Sequence, residues 1–248
     1  MPTLSTHHLS LTLGTRRLVT GLDWQVQVGE LWCVLGRNGA GKSTLLHALA
    51  GLQRIDQGEI LLTGHPLNNL SLAELAQLRG LMPQQMIDHF SCSVGEAVAI
   101  ALAPWRVGHP RRDERDYDDV ADALQRVGML DRIDDDITQL SGGERQRVAF
   151  AAMLVQNPTL MLFDEPTSHQ DIAQQRLLMR LMQQLAADHA VIASCHDINL
   201  AARFATHGLL LGDGFYYAGD IQQALNPEIL SRVFGCEFEG NSQAIVAV

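Results

Sequence analysis

The sequence lacks the features of a membrane span, a disulfide scaffold or a nucleic-acid binder. No apolar run reaches the ~18 residues that a spanning helix needs. The four cysteines, Cys33, Cys92, Cys195 and Cys236, form no Cys-x-x-Cys pair. Cys33 and Cys195 fall in apolar, strand-like runs and read as buried reduced thiols. Basic residues are in deficit, with 18 Lys and Arg against 28 Asp and Glu and a formal charge of −10. A nucleic-acid partner calls for the opposite balance, so none is expected. The opening residues MPTLSTHHLSLTLG show neither a charged region nor a long apolar core, so a secretory leader is not expected and the chain reads as cytosolic. Internal repeats and low-complexity tracts are missing too. The 248 residues are 46% apolar, enough for a sizeable core.

Short apolar runs alternate with helical patterns. LWCVL (31–35), EILLTG (59–64), TLMLF (159–163) and AVIAS (190–194) read as strands, and residues 43–51 and 71–79 as helices, the second capped by Ser71. LLLGDGFYYAG (209–219) has the pattern of a hairpin. Buried runs separated by helices predict a parallel sheet covered on both faces. From about 94 to 156 every periodic stretch is helical, which predicts a helical insertion in an α/β core. The charged, Gly/Pro-marked stretch 105–115 reads as an exposed loop and Asp113–Asp122 as a solvated helix face.

Between LWCVL and the helix at 43–51 lies GRNGAGKST. Gly36-x-x-x-x-Gly41-Lys42-Ser43, with a strand before it and a helix after it, is the P-loop pattern. Glycine permits positive φ and keeps side chains from between backbone N–H groups and phosphate oxygens. The following helix offers free N–H donors and partial positive charge. The candidate nucleotide-binding residues are therefore Gly36, Arg37, Asn38, Gly39, Ala40, Gly41, Lys42, Ser43 and Thr44. Lys42 is expected on the β- and γ-phosphates and the Ser43 hydroxyl on Mg²⁺. Asp164 and Glu165 follow TLMLF. Asp164 fits a carboxylate in the Mg²⁺ shell, and Glu165 one that orients the attacking water. His196 follows AVIAS and Cys195. A parallel sheet would bring it to the same edge, in reach of the γ-phosphate.

LSGGERQR (140–147) resembles the signature of ATP-binding cassette (ABC) ATPases. The order of P-loop, Gln84 in LMPQQ, LSGGE, DEPT, Asp171 and His196 is similar to that family across essentially the whole chain. The resemblance implies one domain, 1–248. It would comprise a P-loop NTPase core of α/β class (1–90 and 157–248) with a parallel sheet and an N-terminal antiparallel β portion. Residues 91–156 would form a helical signature subdomain. It also implies a head-to-tail homodimer in which each ATP lies between Lys42, Ser43, Asp164 and Glu165 of one subunit and Ser141, Gly142 and Gly143 of the other. Glu144 and Asp171 would also be among the nucleotide-binding residues at that interface. Gln84 would sense Mg²⁺ and join the core to the helices.

Three positions depart from the family pattern. Leu13 stands where an adenine-stacking aromatic is usual, which leaves the choice between ATP and GTP open. SHQD (168–171) replaces the common SALD, so His169 and Gln170 are unusual. Glu144 stands where Gln is commonest. The tail NPEILSRVFGCEFE, with helical apolar spacing at Ile229, Leu230, Val233 and Phe234, resembles the ATPases of bacterial metal-chelate importers. That implies a peripheral subunit on the cytoplasmic face of the cell membrane, bound to an integral-membrane permease dimer and indirectly to a periplasmic substrate-binding protein. Ferric siderophore, haem and cobalamin are all compatible cargoes. The permease would dock near Gln84 and residues 85–105, with Met86 and Phe90 as contacts. A soluble ABC ATPase of an assembly or regulatory complex is the alternative.

Overall fold

A computed structural model describes residues 1–84, 91–105, 114–168, 170–212, 214–241 and 244–247. The chain opens with strands β1 (Leu4–Leu13) and β2 (Arg16–Val26), then β3 (Leu31–Gly36), α1 (Lys42–Leu49), β4 (Gln57–Leu62) and β5 (His65–Pro66). Helix α2 (Leu72–Leu78) and strand β6 (Arg79–Met82) lead to α3 (Val94–Ala99), α4 (Glu114–Arg126) and α5 (Gly142–Gln156). Next come β7 (Leu160–Phe163), α6 (Ile172–Leu185), β8 (Ala190–Ser194) and α7 (Ile198–Phe204). The last elements are β9 (His207–Gly212), β10 (Phe215–Asp220), α8 (Ile221–Ala224), α9 (Pro227–Phe234), β11 (Phe238–Asn241) and β12 (Ala244–Ala247).

Strands β3, β7 and β8 are buried along their whole length, as near-continuous apolar runs in a parallel sheet should be. They lie in a six-stranded sheet of order β10-β9-β3-β8-β7-β6. All its pairings are parallel except the closing β9–β10 hairpin, which falls where LLLGDGFYYAG predicts it. The antiparallel sheet, order β2-β1-β4-β5, covers one face. Alternation along β3 splits the core in two. Trp32 and Val34 face α1 and the antiparallel sheet, while Leu31, Cys33 and Leu35 face the layer containing α5, α6 and α9. Cys33 and Cys195 are buried free thiols on this second side, as expected, and their mutual hydrogen bond with burial pushes the Cys33 thiol well above its ordinary range.

Among the described residues, 94–156 form no strand longer than an isolated bridge. Val120, Ala123 and Leu124 of α4 are buried, while Asp118, Asp119 and Asp122 face solvent. Asp113 lies outside the described residues. Helix α3 gives way to a 3₁₀ segment at Ile100–Trp105, which contains Pro104. The strand expected at 59–64 ends at Leu62, because Thr63 and Gly64 turn with φ of 50° and 82°. Phe150 of α5 stacks on Phe163 of β7, ring centroids 4.9 Å apart. This contact ties the helix that begins after Ser141 to the strand that leads into Asp164. Truncating Phe163 to Ala should lower unfolding free energy by about 3–5 kcal/mol, read from urea denaturation.

Candidate functional site

Parallel register gathers the ends of β3, β7 and β8 at one edge, where Gly36 closes β3, Asp164 follows β7 and His196 lies just beyond β8. A cavity of about 360 Å³ opens there, lined by Leu13, Asn38, Gly39, Gly41, Lys42, Ser43, Thr44, Gln84, Glu165 and His196. The loop needs its glycines for two separate reasons. A Cβ on Gly36 would stand 2.4 Å from the Leu211 carbonyl oxygen, and Gly41 has φ +100° with Leu18 pressed against it. Ala40 is buried beneath the loop, and Arg37 lies near Gly235 at the end of α9.

Gly41 is the N-cap of α1 and supplies no side-chain hydrogen bond. The other α-helix starts whose caps are described are closed by Ser, Asp or Asn. The open end of α1 therefore keeps donors for an anion. Lys42 is 5% exposed, and its Nζ donates to the carbonyls of Gly36 (2.9 Å) and Arg37 (3.3 Å). Burial lowers the pKa of its ammonium, opposed by the nearby Glu165 and Asp164 carboxylates. A buried cation that donates to carbonyl oxygens is well suited to receive phosphate.

Asp164 and Glu165 sit in a network invisible to motif reading. Ser194 Oγ accepts the Glu165 N–H (2.7 Å) and donates to Asp164 Oδ1 (2.7 Å). The Glu165 carbonyl accepts from Gln146 Nε2 (2.8 Å) and Ser168 Oγ (2.8 Å). Glu165 needs this support because its φ is +51°, a left-handed conformation that costs about 1–2 kcal/mol for a non-glycine residue. Gln84 Nε2 donates to Glu165 Oε2 at 2.6 Å, and His196 Nε2 meets Oε1. Gln84, Glu165 and His196 thus converge on one carboxylate.

Ser141, Gly142, Gly143 and Glu144 lie at the start of α5 and do not line this cavity. A Cβ on Gly142 would meet nothing within 4 Å, so that position is unobstructed on this chain, although the helix start is capped. Glu144 closes a capping box on Ser141 and pairs with Arg132 at 2.9 Å. Asp171 caps α6 by accepting from the Gln174 N–H. Gln170 links the Gly143 carbonyl (2.8 Å) to Gln146 Oε1 (3.0 Å), joining the start of α5 to the support of Glu165. His169 lies outside the described residues. Ser194 and Gln146 carried no sequence signal beyond their places in a strand and a helix.

Ser194→Ala should destabilise the fold by about 1–3 kcal/mol in urea, because it strands a buried carboxylate and an N–H. The Ser141 hydroxyl and N–H hold the Glu144 carboxyl below its usual range. A pKa lowered by folding adds stability above the unfolded value, about 4.3, and loses it as pH falls through the folded value. The stability gap between the unsubstituted chain and Glu144→Ala should therefore shrink on acidification from pH 6 to pH 3.

The family model for ABC transporters matches residues 19–168. The hemin import ATP-binding protein HmuV of Deinococcus radiodurans is 37% identical over 244 residues, covering 95% of this chain and 91% of that protein. The iron(3+)-hydroxamate import ATP-binding protein FhuC of Bacillus subtilis is 31% identical, covering 96% and 90%. A solved metal-chelate type ABC transporter in an inward-facing conformation superposes with a TM-score of 0.83 at 26% identity, covering 100% of this chain and 96% of that one. By family model and relatives alike, the chain belongs to the ABC transporter family, as one of its ATP-binding ATPases.

Proposed function

We propose that this chain is the ATPase subunit of an importer for a metal chelate, a ferric siderophore, haem or cobalamin, and that it works as a head-to-tail homodimer on a separate permease dimer. A periplasmic substrate-binding protein would deliver the cargo, and the subunit would lie peripherally on the cytoplasmic face of the cell membrane. Among the described residues no helix is long and apolar enough to cross a membrane. The import reading rests on the relatives that act on hemin and iron(3+)-hydroxamate and on the extent of their match.

In this reading residues 36–44 wrap the triphosphate, the open end of α1 faces it, and Lys42 turns from the Gly36 and Arg37 carbonyls to the phosphate oxygens. The Ser43 hydroxyl, the Asp164 carboxylate and the Gln84 amide are hard oxygen donors of the kind Mg²⁺ takes. With Mg²⁺ held by these residues, the ion would supply positive charge to offset that of the phosphates. Glu165 orients the attacking water once phosphate draws His196 and Gln84 away from its carboxylate. The start of α5 at Ser141, Gly142 and Gly143 would contact the γ-phosphate of the ATP held by the partner subunit. Gln170, through Gly143 and Gln146, carries that contact to the backbone of the chain's own Glu165.

The permease would dock beside Gln84, between the core and the helices. Leu72 of α2 and Ile100, at the start of the 3₁₀ segment after α3, are exposed apolar residues, 84% and 68% accessible. Met86 and Phe90 lie outside the described residues.

Glu165→Gln should bind ATP while turnover falls by about 10³-fold or more, measured by phosphate release. Pull-down of that variant from native membranes in mild detergent with ATP should recover a polytopic membrane protein. Recovery of soluble proteins alone would sink the import reading in favour of an assembly complex.

A further inference from the structure

Glu144 meets two demands that oppose each other. As the third residue of α5 it completes the Ser141 capping box, its Oε2 accepting from the Ser141 N–H (2.8 Å) and hydroxyl (2.7 Å). A carboxylate there steadies the helix, and Glu74 does the same for Ser71 at α2. It also sets a negative charge on the turn that the head-to-tail reading places against a triphosphate. A glutamine, the commoner residue at this point of the signature, would cap the helix without that charge.

Arg132 answers the charge. It stands twelve residues back, at the end of the 3₁₀ turn Leu130–Arg132, and its Nη1 donates to Glu144 Oε1 at 2.9 Å. That is the oxygen the Ser141 cap does not use. Its Nε is bound to Asp135, so the guanidinium is held at two points. Arg132 is also the one Lys or Arg between residues 127 and 144, a stretch with five carboxylates. Arg147 lies near enough to favour the charged form of Glu144, but its Nη2 is turned to the Met129 sulfur at 3.4 Å.

We propose that Arg132 is a positioning residue of the ATP-bound dimer: it neutralises and anchors Glu144, so that the start of α5 can receive the γ-phosphate of the ATP held by the partner subunit. The inference rests on the head-to-tail dimer. Anchored through Oε1, the carboxylate stays in place when the Ser141 hydroxyl turns from Oε2 to phosphate. Without Arg132, the helix start would bring a carboxylate stripped of its ion pair against a polyanion, and like charges set together at an interface oppose association. Arg132 touches no phosphate in this account. It acts through Glu144.

The test is sedimentation velocity of the Glu165→Gln protein over a concentration series at saturating Mg²⁺-ATP, which gives the dimer dissociation constant. Adding Arg132→Ala should weaken the dimer by about tenfold. Binding of MANT-ATP to the dilute monomer, followed by fluorescence, should change by less than about twofold, because the monomer's phosphate loop does not involve α5. Arg132→Lys keeps the charge and should cost the dimer less than about threefold. With Glu144→Gln already present, Arg132→Ala should also cost less than about threefold, because no charge is left to neutralise. Raising salt from about 50 to about 500 mM should narrow the Arg132→Ala deficit. Unchanged dimerisation of Arg132→Ala would overturn the proposal. So would a tenfold loss that persists with Glu144→Gln, which would make Arg132 a brace of the fold or a direct contact. A Glu165→Gln protein that fails to dimerise with ATP at saturation would instead overturn the head-to-tail reading, and this role of Arg132 with it.

Discussion

The helix after Gly41 begins without a side-chain cap, and this open end sets the terms for the rest of the site. Elsewhere the chain closes described α-helix starts with its own Ser, Asp or Asn. At α1 it places glycines, a buried lysine and the meeting edge of three parallel strands. Unmet N–H groups beside a cation are unfavourable unless an anion satisfies them. The two layers of core around β3 hold that arrangement rigid, one side built on Trp32 and Val34 and the other on Cys33 and Leu35.

The second constraint is the left-handed backbone at Glu165. Ser194 reaches from the neighbouring strand to hold Asp164 and Glu165 together, and Gln146 reaches from α5 to hold the Glu165 carbonyl. Gln170 extends the same chain of bonds to Gly143. A contact made at the start of α5 is therefore joined to the Glu165 backbone through two side chains, Gln170 and Gln146, rather than through diffuse packing. Gln170, unusual for the family pattern, has a concrete place in that path.

Much of this was legible in the sequence because it is local. The strands LWCVL, TLMLF and AVIAS are continuous apolar runs, and GRNGAGKST declares a backbone that must admit phosphate. The Ser71 cap and the 209–219 hairpin follow from short-range rules in the same way. The support of Glu165 was not legible, because Ser194 and Gln146 are ordinary residues until the sheet and α5 bring them within 3 Å of it. Strand β6, only four residues long, and the β11–β12 hairpin gave too little pattern to stand out. Motif reading also gives no sign of the Glu144 contacts with Ser141 and Arg132 within the chain.

The central claim is that one copy holds half of each working site: the phosphate loop and Glu165 on one edge, and the start of α5 outside the cavity. Sedimentation velocity of the Glu165→Gln protein, with and without Mg²⁺-ATP, tests this most directly. The account predicts a monomer without nucleotide and a stable dimer with it. A protein that stays monomeric with ATP bound at saturation would contradict it.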